Sequence, residues 1–137
     1  MDKETISSWI RNSSAFTGAP AEAITQLSAA FTEKRAAAGT WIIREGDDDA
    51  ALYLLASGSA TVFVSNAGEQ RYLGNISTGQ LFGEISPLSS GRRMASVTAS
   101  EECLLLELNP DVLKGILRKY PLLEKSVMDS LERYLAP

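Results

Sequence analysis

The sequence predicts a mainly β fold with flanking helices, in which short antiparallel strands form a jelly-roll-like barrel. Between residues 34 and 108, a glycine or a polar cluster recurs roughly every ten residues, which is typical of short strands joined by turns. Apolar residues at helical spacing lie on both sides of this stretch. We therefore expect one domain with N-terminal helices over 1–33, a barrel over 34–108 and C-terminal helices over 109–137.

Two helices are predicted in the N-terminal part, because apolar residues recur there three and four positions apart. These residues are Ile6, Trp9 and Ile10 in the first helix, and Ala21, Ile24, Leu27 and Phe31 in the second. Gly18-Ala19-Pro20 separates the two runs, and glycine followed by proline is a strong helix breaker.

The alternation in Ala60-Thr61-Val62-Phe63-Val64 predicts a half-buried strand. Ser65-Asn66-Ala67-Gly68 follows directly and has the composition of a hairpin turn. Cys103 lies in a run of aliphatic residues, so we expect its thiol to pack in the core.

Asn109-Pro110 predicts the start of a helix, because asparagine caps free amides and proline is accepted at the first helical position. An apolar stripe follows, and Pro121 interrupts it before a second stripe. The first stripe consists of Val112, Leu113, Ile116 and Leu117, and the second of Leu123, Val127, Leu131, Tyr134 and Leu135.

Composition excludes several classes of function. The net charge of −4 disfavours a nucleic-acid surface, which needs a basic stripe. No apolar run reaches the roughly 18 residues of a membrane span, and Met1-Asp2-Lys3-Glu4 does not resemble a signal peptide. We therefore expect a cytoplasmic protein without direct membrane insertion.

The residue inventory disfavours metal and catalytic chemistry. The chain has no histidine and a single cysteine, so it lacks the ligands of a metal-dependent jelly-roll enzyme or a haem sensor. Its serines have no histidine to activate them, and we expect no catalytic residues and no cofactor. The run Asp47-Asp48-Asp49 lacks the alternating spacing of a calcium loop and is interpreted as a solvated turn.

The segment from Phe82 to Val97 concentrates residues that suit an anion. Ser86-Pro87 is a typical helix start, and a helix beginning there would direct free N–H groups at a negative charge. Arg93 offers a planar fork of donors to phosphate oxygens. Glu84 would be repelled by a phosphate, which favours a ligand hydroxyl as its partner. Phosphate and hydroxyl together indicate a nucleotide, whereas a surface ion pair between Glu84 and Arg93 is the structural alternative.

This segment resembles the phosphate-binding cassette of cyclic nucleotide-binding domains, with Phe-Gly-Glu at 82–84 and Arg-x-Ala-Ser-Val at 93–97. It is most similar to hyperpolarisation-activated cyclic nucleotide-gated channels, and also resembles protein kinase A regulatory subunits and the catabolite activator protein. The resemblance extends over roughly residues 14 to 135 and implies an antiparallel double-stranded β-helix, or β-roll. It further implies that the domain binds a cyclic purine nucleotide.

The resemblance also implies roles for individual residues. The phosphate set consists of Arg93, Ile85, Ser86 and Met94, the ribose set of Glu84 and Gly83, and the base set of Val62, Ala95, Arg133 and Tyr134. Tyr134 would either cover a purine or pack on the barrel. Met94 and Ala95 offer no hydrogen bond to guanine, which favours cyclic AMP over cyclic GMP.

The predicted function is ligand sensing, in which nucleotide binding is transmitted through the C-terminal helices to an effector protein, either covalently linked or separate. The alternative is a degenerate relative that binds no nucleotide and serves as a protein-interaction domain.

Overall fold

The computed structural model describes residues 3–47, 51–83 and 95–133. Within these ranges, helices lie on both sides of eight strands. The elements in chain order are α1 (Lys3–Asn12), a 3-10 turn (Ser14–Phe16), α2 (Ala21–Ala30), β1 (Thr32–Ala36), β2 (Trp41–Ile43), β3 (Leu52–Ser57), β4 (Ala60–Asn66), β5 (Glu69–Ile76), β6 (Leu81–Phe82), β7 (Ser96–Ala99), β8 (Cys103–Leu108), α3 (Pro110–Leu117) and α4 (Pro121–Arg133).

The strands form two four-stranded sheets, and every pair of neighbouring strands is antiparallel. Sheet one has the order β1-β8-β3-β6, and sheet two has the order β2-β7-β4-β5. Neighbouring strands are mostly distant in sequence, because the chain passes repeatedly from one sheet to the other. This topology confirms the predicted mainly β fold with flanking helices and its double-stranded β-roll.

Sheet one has a hydrophobic core on each of its faces. On β3, Leu52 and Leu54 face the helices, whereas Tyr53 and Leu55 face sheet two. The same alternation on β8 places Cys103 between the sheets, where it is fully buried. Burial on both faces explains why these strands are almost continuously apolar in sequence, and it confirms the predicted core position of Cys103.

The β4–β5 hairpin confirms the predicted turn and shows that its loop is short. Asn66 pairs with Glu69, so only Ala67 and Gly68 lie in the loop. Both loop residues have positive φ, 52° and 85°, which is the backbone geometry of the tight turn that matches strand twist.

Asn109 caps α3 as predicted, and its side-chain oxygen accepts hydrogen bonds from the N–H groups of Asp111 (2.8 Å) and Val112 (3.3 Å). The predicted stripe on α3 needs one correction, because Val112 is 46% exposed. The buried face uses Leu113, Ile116 and Leu117, three and four positions apart, and Val112 lies one position outside that face.

Two boundaries differ from those expected. The first strand begins at Thr32 rather than at residue 34, because Thr32 already pairs with Glu107 of β8. Phe31 lies just after α2 in an extended conformation, although its ring stays buried against Phe16 at a centroid distance of 6.3 Å. The assignment of the chain to one domain stays a prediction.

Candidate functional site

The predicted anion-binding motif lies in the connection from β6 of sheet one to β7 of sheet two. Most of the predicted ligand residues fall outside the described residues, and for Arg133 only the backbone at the end of α4 is described. The residues outside are Glu84, Ile85, Ser86, Met94 and Arg93 in the connection, and Tyr134 after α4. The structure therefore describes the residues on either side of the motif, and the roles of the residues outside the described ranges stay predictions.

The connection leaves sheet one at a tightly fixed point. Phe82 is fully buried, and its ring stacks on Tyr53 with the centroids 5.5 Å apart. Gly83 follows with φ +117°, and a Cβ added to it would lie 2.9 Å from Leu52 Cδ2 and 3.0 Å from the Ala51 carbonyl oxygen. Glycine suits this position, because the positive φ strains other residues and a Cβ would lie unusually close to the backbone of Ala51 and Leu52. Gly83 was predicted to allow close approach to ribose, and the close approach visible here is to β3.

The connection reaches sheet two at a second fixed point. Ala95 is buried in the core between the sheets, whereas the Ser96 hydroxyl accepts a hydrogen bond from the Glu45 backbone N–H at 2.9 Å. Val97 then pairs with Ile43 on one side and with Val62 on the other. Ala95, Val97 and Ala99 all belong to the cluster between the sheets, whereas Ser96 does not, so the side chains alternate along this segment.

Between these two points, sheet two forms an apolar wall. Val62 and Ala95, both predicted to contact the base, belong to the same buried cluster. Gly74 pairs directly with Val62, and among the described residues a Cβ added to Gly74 would have no heavy atom within 4 Å. Because directly paired residues project to the same face of a sheet, there is room for a side-chain atom beside Val62, which is itself buried.

Leu73 joins this wall although its sequence position did not single it out as a site residue. The pairing of β4 with β5 shifts between Val62 and Phe63, so Leu73 is an extra residue on β5. Its half-buried side chain packs against the same cluster as Val62. The available sequence signal was the glycine that follows it, since an isolated glycine in a strand often marks a bulge.

The wall is suited to an apolar ring, and its side chains have no polar groups that could distinguish one ring from another. Val62, Leu73 and Ala95 offer neither a donor nor an acceptor in their side chains. The charge that would neutralise an anion must therefore come from other parts of the chain, and the motif at 84–94 carries Arg92 and Arg93. An apolar wall and a segment predicted to bind an anion are the two chemical parts that a nucleotide requires.

A β-roll with such a wall, together with a connection predicted to bind an anion, indicates a small-molecule-binding module. Residues 33–120 match the sequence model of the family described as "Cyclic nucleotide-binding domain". This chain belongs to that family, which is a ligand-binding regulatory domain, and the predicted resemblance is confirmed.

Relatives of three kinds share this domain. The chain is 33% identical to a cyclic AMP receptor protein of Thermus thermophilus over 92% of this chain and 59% of the relative. It is 34% identical to the human potassium/sodium hyperpolarization-activated cyclic nucleotide-gated channel 1 over 69% of this chain and 11% of the channel. The regulatory domain of Toxoplasma gondii PKA, solved with cAMP, superposes with a TM-score of 0.74 at 33% identity, covering 83% of this chain and 44% of that chain.

The chain thus spans little more than half of the bacterial receptor and a small part of the channel. Among the helices of the described ranges, none has the length and apolar character that a membrane crossing requires. Within the same ranges, no group of Cys, Asp and Glu side chains is arranged to hold a metal ion.

Proposed function

We propose that this chain binds a cyclic purine nucleotide, cyclic AMP in preference to cyclic GMP, and acts as a sensing module. One observation carries the proposal: the open space at Gly74 lies beside the apolar wall of Val62, Leu73 and Ala95. The connection that leads to Ala95 contains Glu84 and Arg93. A purine lying on this wall places its ribose phosphate toward that connection.

The proposed contacts follow from these positions and from the family motif. Arg93 and the backbone amides of Ile85 and Ser86 bind the cyclic phosphate, and Met94 completes this set. Glu84 accepts a hydrogen bond from the ribose 2′-hydroxyl, beside Gly83.

The base set lies on the wall and at the end of the chain. Val62, Leu73 and Ala95 contact one face of the base. Arg133 and Tyr134, at and beyond the end of α4, cover the base from the other side.

The signal is proposed to pass through α3 and α4. α4 contacts both β6 and the 3-10 turn, and the Ser126 hydroxyl donates a hydrogen bond to the Ala15 carbonyl oxygen at 3.0 Å. β6 leads directly into the connection with the proposed phosphate ligands, so a rearrangement of that connection reaches α4 through one short strand. A ligand that binds two arrangements of α4 unequally shifts the population between them.

The effector is proposed to be a linked or separate protein, and the domain itself is proposed to be non-catalytic. Such domains occur in relatives of different kinds, namely a channel, a regulatory domain of PKA and a cyclic AMP receptor protein. A cytoplasmic location stays a prediction.

Calorimetric titration with cyclic AMP and cyclic GMP tests the proposal. A charge-assisted hydrogen bond contributes about 1.5 to 3 kcal/mol, so Arg93→Ala should weaken cyclic AMP binding by about 10- to 150-fold. Arg35→Ala is the matched control, because Arg35 is an exposed arginine on β1 whose guanidinium lies 3.6 Å from Glu102. Equal affinities of the wild type and Arg93→Ala would contradict the assignment, and no binding of either nucleotide would support the protein-interaction alternative.

A further inference from the structure

A polar cleft of about 370 Å³ lies between the N-terminal helical part, the β5–β6 turn and α4. Its lining residues are Asn12, Ser14, Ser77, Thr78, Gly79, Gln80 and Ser130. None of them belongs to the wall or to the motif of the candidate nucleotide site. Its volume is at the lower end of the range for small-molecule sites.

Ser130 is the feature that points to a ligand. Four buried polar residues occur in the described part of the chain, and three have a side-chain hydrogen bond: Ser13 with the Gly79 carbonyl, Ser28 with the Ile24 carbonyl and Ser96 with the Glu45 N–H. Ser130 is only 5% exposed and lines the cleft, yet its hydroxyl has no hydrogen-bond partner within residues 3–47, 51–83 and 95–133. Buried hydroxyl groups are normally paired, so an unpaired one beside a cleft is suited to a bound molecule.

The floor of the cleft is already held in place. The Gly79 N–H donates to the Leu55 carbonyl at 2.7 Å, and the Ser13 hydroxyl donates to the Gly79 carbonyl at 2.5 Å. Gln80 uses its side-chain oxygen to accept from the Ser77 N–H at 3.2 Å, which leaves its amide NH₂ as a donor. Opposite the floor, Ser126 fixes α4 to the 3-10 turn one helical turn before Ser130.

Within the described residues, the lining has hydroxyl and amide groups and no ionisable side chain. A charged molecule would find no opposite charge there, and an apolar molecule would leave the hydroxyl groups unpaired. A hydroxyl group both donates and accepts, so it can pair with every polar side chain of the lining. We propose that this cleft is a binding site for a small uncharged polyhydroxylated molecule, such as a polyol or a monosaccharide, with the Ser130 hydroxyl as its most buried contact.

Titration of the isotope-labelled full chain with glycerol, myo-inositol and D-glucitol, without nucleotide, tests this site by NMR. At least one of these probes should shift the backbone amide signals of Ser77, Gly79, Gln80 and Ser130 in a saturable manner. D-gluconate, which has the carbon chain of D-glucitol and one negative charge, should bind more weakly. Absence of saturable shifts with all three polyols, or equal binding of D-gluconate, overturns the proposal.

Ser130→Ala supplies the decisive variant. Loss of one neutral hydrogen bond should lower the affinity for the tightest-binding probe by about two- to tenfold. Ser8→Ala changes an exposed residue of α1 and should leave that affinity unchanged. The unfolding equilibrium of Ser130→Ala gives a second measurement, because an unpaired hydroxyl contributes nothing to folding. Its unfolding constant should stay equal or fall; a rise of about fivefold or more would show a structural hydrogen bond and overturn the proposal. Arg93→Ala should bind the polyols like the wild type, so failure of the nucleotide proposal is distinguishable from failure of this one.

Discussion

Gly74→Val separates nucleotide binding from folding. Gly74 lies in β5 opposite Val62, its φ lies outside the left-handed region, and a Cβ there meets no heavy atom of the described residues within 4 Å. The described part of the chain therefore leaves room for a branched Cβ, and valine suits a strand better than glycine by up to about 1 kcal/mol. We expect the free energy of unfolding to stay equal or to rise by that amount.

The same side chain fills the space in which the base is proposed to lie. Displacing a ligand ring by a branched side chain resembles overpacking of a core, which costs about 1 to 3 kcal/mol. Cyclic AMP affinity should therefore fall by about 5- to 150-fold while the fold is retained. Calorimetric titration and thermal unfolding of the same sample measure both quantities. Unchanged affinity in a folded Gly74→Val protein would show that the base does not lie on this wall.

Four further predictions concern the motif and the core. Gly83→Ala should lower the free energy of unfolding by about 1 to 3 kcal/mol in chemical unfolding, because the positive φ and the contact with Leu52 both oppose a Cβ. Unchanged stability would contradict the close packing of Gly83 against Leu52. Glu84→Gln should weaken binding of cyclic AMP much more than binding of its 2′-deoxy analogue. Equal losses of affinity for the two ligands in titration would assign Glu84 a structural role. Met94→Thr should narrow the preference for cyclic AMP over cyclic GMP in paired titrations, unless the base edge lies in water. Burial raises the pKa of the Cys103 thiol, so a thiol reagent should modify Cys103 only after denaturation. The contribution of the protonated thiol to the free energy of unfolding should be lost as pH rises above the ordinary thiol range. Rapid modification of the native protein at neutral pH would refute the buried position of this thiol.

Local sequence patterns predicted the elements whose signals are local. The turn at Ala67 and Gly68, the cap at Asn109 and the strand that contains Cys103 each depend on residues close together in the chain, and all three are present. Their formation requires only short-range backbone geometry and alternation.

Long-range packing determined what the sequence did not predict. Leu73 reaches the wall because a bulge shifts the register with β4, and the partner strand decides where a bulge forms. Gly83 is required by the distant residues Ala51 and Leu52. Ser130 lies on an ordinary amphipathic helix, and only the packing of α4 beside the β5–β6 turn leaves its hydroxyl buried at a cleft.

β6 gives the candidate site a short physical connection to the C-terminal helix. Its two residues are fully buried on opposite sides of sheet one: Leu81 belongs to the core shared with α4, and Phe82 belongs to the core that includes Val62. Gly83 is in close contact with the backbone of β3, so β6 has little room to shift without disturbing both cores. We propose that a change in the connection after Gly83 is transmitted through β6 to α4. α4 packs on the Leu81 side of sheet one, and it is the more peripheral of the two elements.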